Sequence, residues 1–216
     1  MGDRPLLSAE AARILGALLE KERTVPDTYP MTLNGLVTAC NQTSNRSPVV
    51  TYESSFVQRT LDQLKEDGLV RFVHPSHGER TTKFRQVLDE RLVLSNEHAA
   101  VVSVLLLRGP QTLAELRTRT ERLASFASVD EVAGALEALA AREEPLVLRL
   151  ARRPGEREER WMELLTGDEV PEIAEMPSSG VGASSSSRAG LEARVAELEE
   201  RVAKLEAILG DLGAGT

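Results

Sequence analysis

Leu7-Ser8-Ala9-Glu10 and, further on, Leu94-Ser95-Asn96-Glu97 open two helical patterns of one kind. The first continues through Ile14, Leu15, Leu18 and Leu19, the second through Val101, Val102, Leu105 and Leu106. Apolar residues at steps of three and four mark the buried face of a helix. In each stretch a serine at the N-cap can accept a hydrogen bond from an orphan backbone N–H. An acid then follows in the first turn, where the helix dipole favours it.

The parallel continues outward from these starts. A short second helix is expected at about Thr32 to Cys40 and again at about Leu113 to Thr120, where Thr112 and Glu115 have capping-box spacing. Third helices carry Phe56, Val57, Leu61 and Leu64 in one half and Val132, Ala135, Leu136 and Leu139 in the other, with Ser128 and Glu131 as another candidate box. Two alternating stretches follow each time. Leu69-Val70-Arg71-Phe72-Val73 leads through Pro75-Ser76-His77-Gly78 into Thr82 to Val87, and Leu146 to Leu150 leads through Pro154-Gly155 into Arg160 to Leu164. Alternation around Gly/Pro turns reads as a hairpin. Three helices and a hairpin, twice, is the order of a winged helix. The expected fold is mainly α with small β-hairpins (α+β): winged-helix domains at 1–92 and 93–167, a flexible linker at 168–190 and a coiled-coil helix at 191–212.

Composition narrows the class. Of 216 residues, 41% are hydrophobic and 28% charged, as in a globular protein, while aromatics are only 3%, so the core must be aliphatic. The longest nearly apolar run, Ala99 to Leu107, falls well short of the roughly 18 residues a membrane helix needs. Asp3, Glu10, Arg13 and Glu20 interrupt any signal-peptide pattern at the N-terminus, and position 6 lacks the Ser or Thr of a myristoylation signal. One cysteine makes no internal disulfide and excludes a Cys-rich zinc module. A cytoplasmic protein with no membrane partner is expected. The net charge of −8 is uneven: residues 1–94 carry 12 basic and 12 acidic groups, residues 95–166 carry 10 and 12, and residues 167–216 carry 4 and 10. The body is close to neutral, which leaves room for a local basic patch.

The C-terminal stretch has its own pattern. Val195, Val202 and Leu209 fall at heptad position a, and Leu191, Leu198, Leu205 and Leu212 at d. Arginines at g (Arg194, Arg201) would meet glutamates at e (Glu199, Glu206) of a parallel partner, whereas an antiparallel pair would set like charges together. Branched residues at a with leucine at d favour two parallel strands. A homodimer through Leu191, Val195, Leu198, Val202, Leu205 and Leu209 is expected, with a lone helix docked on the body as the alternative.

Several motifs resemble the YceH-like family of bacterial proteins. They are Leu19-Glu20-Lys21, Tyr29-Pro30, Asn34 to Gln42, Asn45-Arg46, Pro48-Val49, Leu105 to Gly109, Gln111-Thr112, Glu115-Leu116-Arg117, and Arg149 to Arg152 with Pro154-Gly155. The likeness covers about residues 6–167. It implies a tandem winged-helix fold followed by a variable linker and coil, and it carries no established biochemical activity.

His74, His77 and His98 do not form a ligand set with Cys40, and His74 and His77 read as solvated hairpin residues. There is no phosphate loop, no GxSxG elbow and no paired-carboxylate frame, and Cys40 reads as a small core residue. No enzyme activity, cofactor or metal is expected. For duplex DNA, the third helix of the first half should present Ser54, Ser55, Gln58, Arg59 and Gln63, with Gln58 and Arg59 able to contact bases. Arg46, Arg80, Lys83 and Arg85 would meet phosphates, with Arg71 on the preceding strand. The second half is a weaker reader, because Asp130, Glu131, Glu137 and Glu143 would repel phosphates. Arg117, Arg119 and Arg122 cluster near its second helix, while glutamates are interleaved with its hairpin arginines. The polar loop Asn41 to Pro48 could bond bases and phosphates or cap its own backbone; both readings stand. A dimeric DNA-binding regulator is the leading expectation, and a protein-interaction scaffold built from winged helices is the alternative.

Overall fold

Helix α1 (Ala9–Thr24) is followed by a 3-10 turn (Pro26–Thr28), strand β1 (Met31–Thr32), α2 (Leu33–Cys40), α3 (Ser54–Glu66) and the hairpin strands β2 (Val70–Val73) and β3 (Lys83–Gln86). A short α4 (Leu88–Leu92) leads into α5 (Asn96–Arg108), α6 (Leu113–Thr120), α7 (Val129–Ala140), β4 (Val147–Leu150) and β5 (Arg160–Glu163). This computed structural model describes residues 4–74, 81–152 and 156–167; the expected linker and coil, with all the heptad positions, lie outside them. The described residues make a mixed α+β fold with small antiparallel sheets. Among them no helix is long and apolar enough to cross a membrane.

The expected caps are in place. Ser8 accepts from the Ala11 N–H and Ser95 from the His98 N–H, both at 3.2 Å. Thr32 accepts from Gly35 at 3.2 Å. Thr112 and Glu115 close a reciprocal box at 3.2 and 2.9 Å. At α7 the box is only half formed: Ser128 accepts from Glu131, but the Glu131 carboxylate reaches the Ala127 N–H instead, at 2.8 Å.

The sheets repeat as well. In the first half β3 lies between β1 and β2, with Phe84 opposite both Met31 and Phe72. In the second half β4 pairs with β5, and Gln111 bridges to Trp161 through two backbone bonds of 2.9 and 2.7 Å. Gln111 thus stands where Met31 stands, each between a proline (Pro110, Pro30) and a capping threonine. Each hairpin also ends on a buried side chain that caps the next turn. Gln86 Oε1 accepts from the Leu88 N–H at 2.7 Å, and Glu163 Oε2 accepts from the Thr166 N–H at 3.0 Å.

The core forms where α1 and α5 cross. Every residue from Ala11 to Leu19 and from Ala99 to Leu107 is buried, so neither helix has a solvent face along those turns. Ser103 donates to the Gly16 carbonyl at 3.1 Å across 87 positions, the same spacing that separates N-caps Ser8 and Ser95. The two helices therefore cross at equivalent residues of the repeat. A Cβ on Gly16 would lie 3.0 Å from Leu106 Cβ and 3.0 Å from Leu107 Cγ, which leaves glycine as the side chain that lets the helices approach so closely. The halves share one core, and the described residues fall within one compact unit.

Candidate nucleic-acid interface

The sequence of α3 separates its two sides. Val57, Leu61 and Leu64 are buried, while Ser54, Ser55, Arg59 and Gln63 are exposed and Gln58 is half-exposed. The outward amides are held by their own helix: Gln58 donates to Asp62 and Gln63 to Asp67, each at 3.0 Å. The Arg59 guanidinium lies 5.8 Å from the Phe56 ring centroid and makes no ion pair among the described residues.

Beside α3, the alternation of β3 buries Phe84 and Gln86 and leaves Lys83 and Arg85 half-buried on the opposite side. The expected phosphate ligands there are not all open. Glu90, from α4, takes Arg85 at 2.6 Å and Arg71 at 3.0 Å. Lys65 sits 4.7 Å over the Phe72 ring. Arg80 lies outside the described residues. In the second half, Arg149 pairs with Glu159 at 3.5 Å, and Arg160 pairs with Glu115 and Glu156 at 3.0 and 3.3 Å.

Arg46 departs from its expected place at a phosphate. Its side chain is fully buried, and all three guanidinium nitrogens are engaged. Nε donates to the Ala39 carbonyl at 2.9 Å, Nη1 to the Asn45 carbonyl at 2.8 Å, and Nη2 to Glu20 and Gln42 at 2.6 and 2.7 Å. No donor remains for a ligand. The physical reason is the loop itself, whose carbonyls turn inward at the end of α2 and need a cation to satisfy them. Arg13 does the same work from α1, donating to the Cys40 carbonyl at 3.2 Å and the Pro48 carbonyl at 2.6 Å. Asn41 exchanges bonds with the Tyr52 backbone at 2.9 and 2.8 Å. The amides that could have read bases are thus largely spent on the fold.

Helix α7, the counterpart of α3, exposes Asp130, Glu131 and Glu137. A groove of about 860 Å³ runs beside it, bounded by Leu113, Val129, Ala133, Arg149 and Trp161. Cys40 is buried, and burial pushes its thiol up to about 12. Among the described residues no cluster of His, Cys, Asp and Glu is placed to hold a metal.

A family model described as "Protein of unknown function, DUF480" matches residues 7–156. The UPF0502 protein of Dechloromonas aromatica is 45% identical over 201 residues, covering 90% of this chain and 93% of its own. The chain belongs to this family. A second relative, the UPF0502 protein of Solibacter usitatus, is 47% identical over 194 residues (89% and 92% covered). The UPF0502 protein YceH of Salmonella newport is 44% identical over 212 residues (96% and 98%). The motifs that resembled YceH-like proteins therefore marked the family correctly. Within this DUF480 member, sequence reasoning missed α4 and its Glu90, the acid that bridges the hairpin cations. Leu88-Asp89-Glu90-Arg91-Leu92 is one turn of helix, too short to show a period.

Proposed function

We propose that the chain is a tandem winged-helix protein that binds duplex DNA through its first half. In this reading α3 enters the major groove and the β2–β3 hairpin lies along a phosphate strand. The observation that carries it is the two-sided α3, whose apolar side is buried and whose outer side offers hydroxyls, amides and an arginine to base edges. The repeated order of three helices and a hairpin, with a third strand position at Met31 and Gln111, supports the winged-helix part. Gln58 and Arg59 would meet bases, and Lys83, Arg85, Arg71 and Arg80 phosphates; Arg46 drops out of the set. The Glu90 pairs do not oppose this strongly, because exposed ion pairs contribute about 0–1 kcal/mol and yield to a phosphate. Dimerisation through the heptads at 191–212 belongs to the same proposal and would double the contacts.

The test is fluorescence anisotropy of a labelled random-sequence duplex at two salt concentrations. Affinity should fall steeply with salt, and replacing Arg80, Lys83 and Arg85 with Ala should weaken binding to every sequence and flatten the salt slope by about one unit per lost contact. Absence of binding at low salt removes the reading. It would leave the scaffold alternative, which the acidic outer side of α7 and its neighbouring groove favour.

A further inference from the structure

The loop between α2 and α3 meets the end of α5 in a seam between the two halves, and the α3 reading uses none of its groups. The Ser47 N–H donates to the Leu107 carbonyl at 2.9 Å. Asn45, in the left-handed region at φ 61°, accepts from the Arg108 guanidinium. Two sets of ion pairs flank this contact. On one side Arg46 and Lys21 close on Glu20 at 2.6 and 3.0 Å. On the other Arg119 and Arg160 share Glu115 at 3.4 and 3.0 Å, and Arg160 also meets Glu156 at 3.3 Å.

Arg108 itself has a neutral amide for a partner and no carboxylate among the described residues. Around Arg108 the charged neighbours are Arg46 and Arg119 on one hand and their carboxylate partners Glu20 and Glu115 on the other, so with Arg108 itself three cations face two carboxylates. Burial first, then repulsion from Arg119 and Arg46, holds its guanidinium below the ordinary arginine value, and Glu20 and Glu115 only partly offset this. Arg108 stands in the last turn of α5 and Arg119 in the last turn of α6, so the two helix C-terminal ends bring their cations to the same seam. Next to these groups the hydroxyl-bearing residues Thr43, Ser44 and Ser47 are exposed, and no hydrogen bond holds their side chains among the described residues.

We propose that this seam binds a phosphoryl oxyanion, with Arg108 and Arg119 supplying the charge and the Thr43–Ser47 loop supplying hydroxyl donors. A tetrahedral oxyanion can accept from guanidinium groups on one side and hydroxyls on the other, while a carboxylate is satisfied by a single planar fork. The site is independent of the α3 reading and survives its failure. Two sources share the chemistry: a free phosphate group on a small molecule, and the backbone diester of a nucleic acid.

Inorganic phosphate, titrated into the full chain at constant ionic strength against chloride, is the probe. The readout is the proton–nitrogen correlation signals of the residue 43–47 amides and of Arg108 Nε. Saturable shifts are expected in these signals. Arg108→Gln keeps a donor for Asn45 but removes the charge; it should weaken phosphate binding about tenfold or more, with an unchanged Tm. Arg108→Lys should recover part of the loss. Arg119→Gln serves as a second variant if Arg108→Gln fails to fold. Shifts that rise linearly without saturation, or equal affinity in a folded charge-removed variant, overturn the site. Duplex anisotropy on the same variants separates the sources. A parallel loss of duplex affinity assigns the seam to backbone phosphate, and an unchanged duplex affinity assigns it to a free phosphoryl group.

Discussion

Position 13 in α1 holds a buried arginine, and the position 87 residues on, in α5, holds Ala100. The difference follows from the connections each half must support. Between α2 and α3 the chain runs through a polar loop whose inward carbonyls are satisfied by Arg13 and Arg46. Between α6 and α7 the same connection is made with Leu123, Ala124 and Phe126 buried, and with Leu123 and Ala124 donating to the Thr120 carbonyl at 2.7 and 3.0 Å. One half fastens its turn with charge and the other with apolar packing. A count of arginines along the sequence therefore overstates the cations available to a ligand in the first half, because some belong to the interior.

The sharpest way to break that contrast is Arg46→Ala. It leaves the Glu20 carboxylate to Lys21 alone and the Ala39 and Asn45 carbonyls without their donor in a largely water-excluded place, which should cost about 3 kcal/mol in urea unfolding. Duplex affinity of the folded variant should not change, since Arg46 offers no free donor; a loss of affinity at full folding would return it to the interface. The pH dependence gives a second check. Burial by itself would raise the Glu20 carboxyl, but the hydrogen bond and charge of Arg46, with Lys21, outweigh it and hold the group below its ordinary 4.5. A lowered carboxylate contributes stability that is present above the unfolded value and lost as pH falls through the folded one. The stability gap between the native chain and Arg46→Ala should therefore narrow on acidification below 4.5. A gap that stays constant would mean the pair contributes packing and not charge.

The α1–α5 crossing sets a smaller asymmetry between equivalent positions. Gly16→Leu forces a side chain into atoms already 3.0 Å from a bare Cβ, and should destabilise by about 2–3 kcal/mol. Ser103→Ala removes one bond to a carbonyl and should cost only about 1 kcal/mol. Denaturant midpoints of the two variants measure the ratio. Equal costs would mean that the halves can slide apart at this point without repacking.

Most of the scaffold was legible because its signals are local. Ser8, Ser95 and Thr112 announce helix starts by chemistry confined to one turn, and alternation at Val70 to Val73 announces a strand. Pairings across the chain were not legible. Nothing near Arg46 in sequence says that Glu20 waits 26 residues away, so a surface arginine and a buried one look alike. Strand β1 was also missed: two residues are too few to show alternation, and its partner lies in β3. The Pro-Met-Thr and Pro-Gln-Thr repeat at 30–32 and 110–112 was the available signal, since each proline precedes a bridging residue and a capping threonine. The candidate interface was half legible for the same reason. The outward residues of α3 follow from its period, whereas the engagement of Arg85 and Arg71 by Glu90 depends on a helix of five residues.

The smallest predicted effect compares two helix ends that close in the same way. After α3, Gly68 sits at φ 70°, with its N–H bonded to the Lys65 carbonyl at 3.1 Å and the Leu69 N–H to Leu64 at 2.8 Å. After α4 the pattern recurs, with Val93 N–H to Glu90 at 3.4 Å and Leu94 N–H to Asp89 at 2.9 Å, but the left-handed residue is a valine at φ 50°. Glycine adopts that conformation freely, whereas a β-branched side chain is strained in it. Val93 is 74% exposed, so little packing opposes the strain. Val93→Gly should stabilise the chain by about 1 kcal/mol despite the added freedom of the unfolded state. Gly68→Val should destabilise by a similar amount, because a Cβ there meets nothing within 4 Å and only the backbone angle opposes it. Opposite signs in the two Tm shifts would make the strain a property of the turn. A loss of stability in Val93→Gly would instead show that this exposed valine makes a contact worth more than its strain.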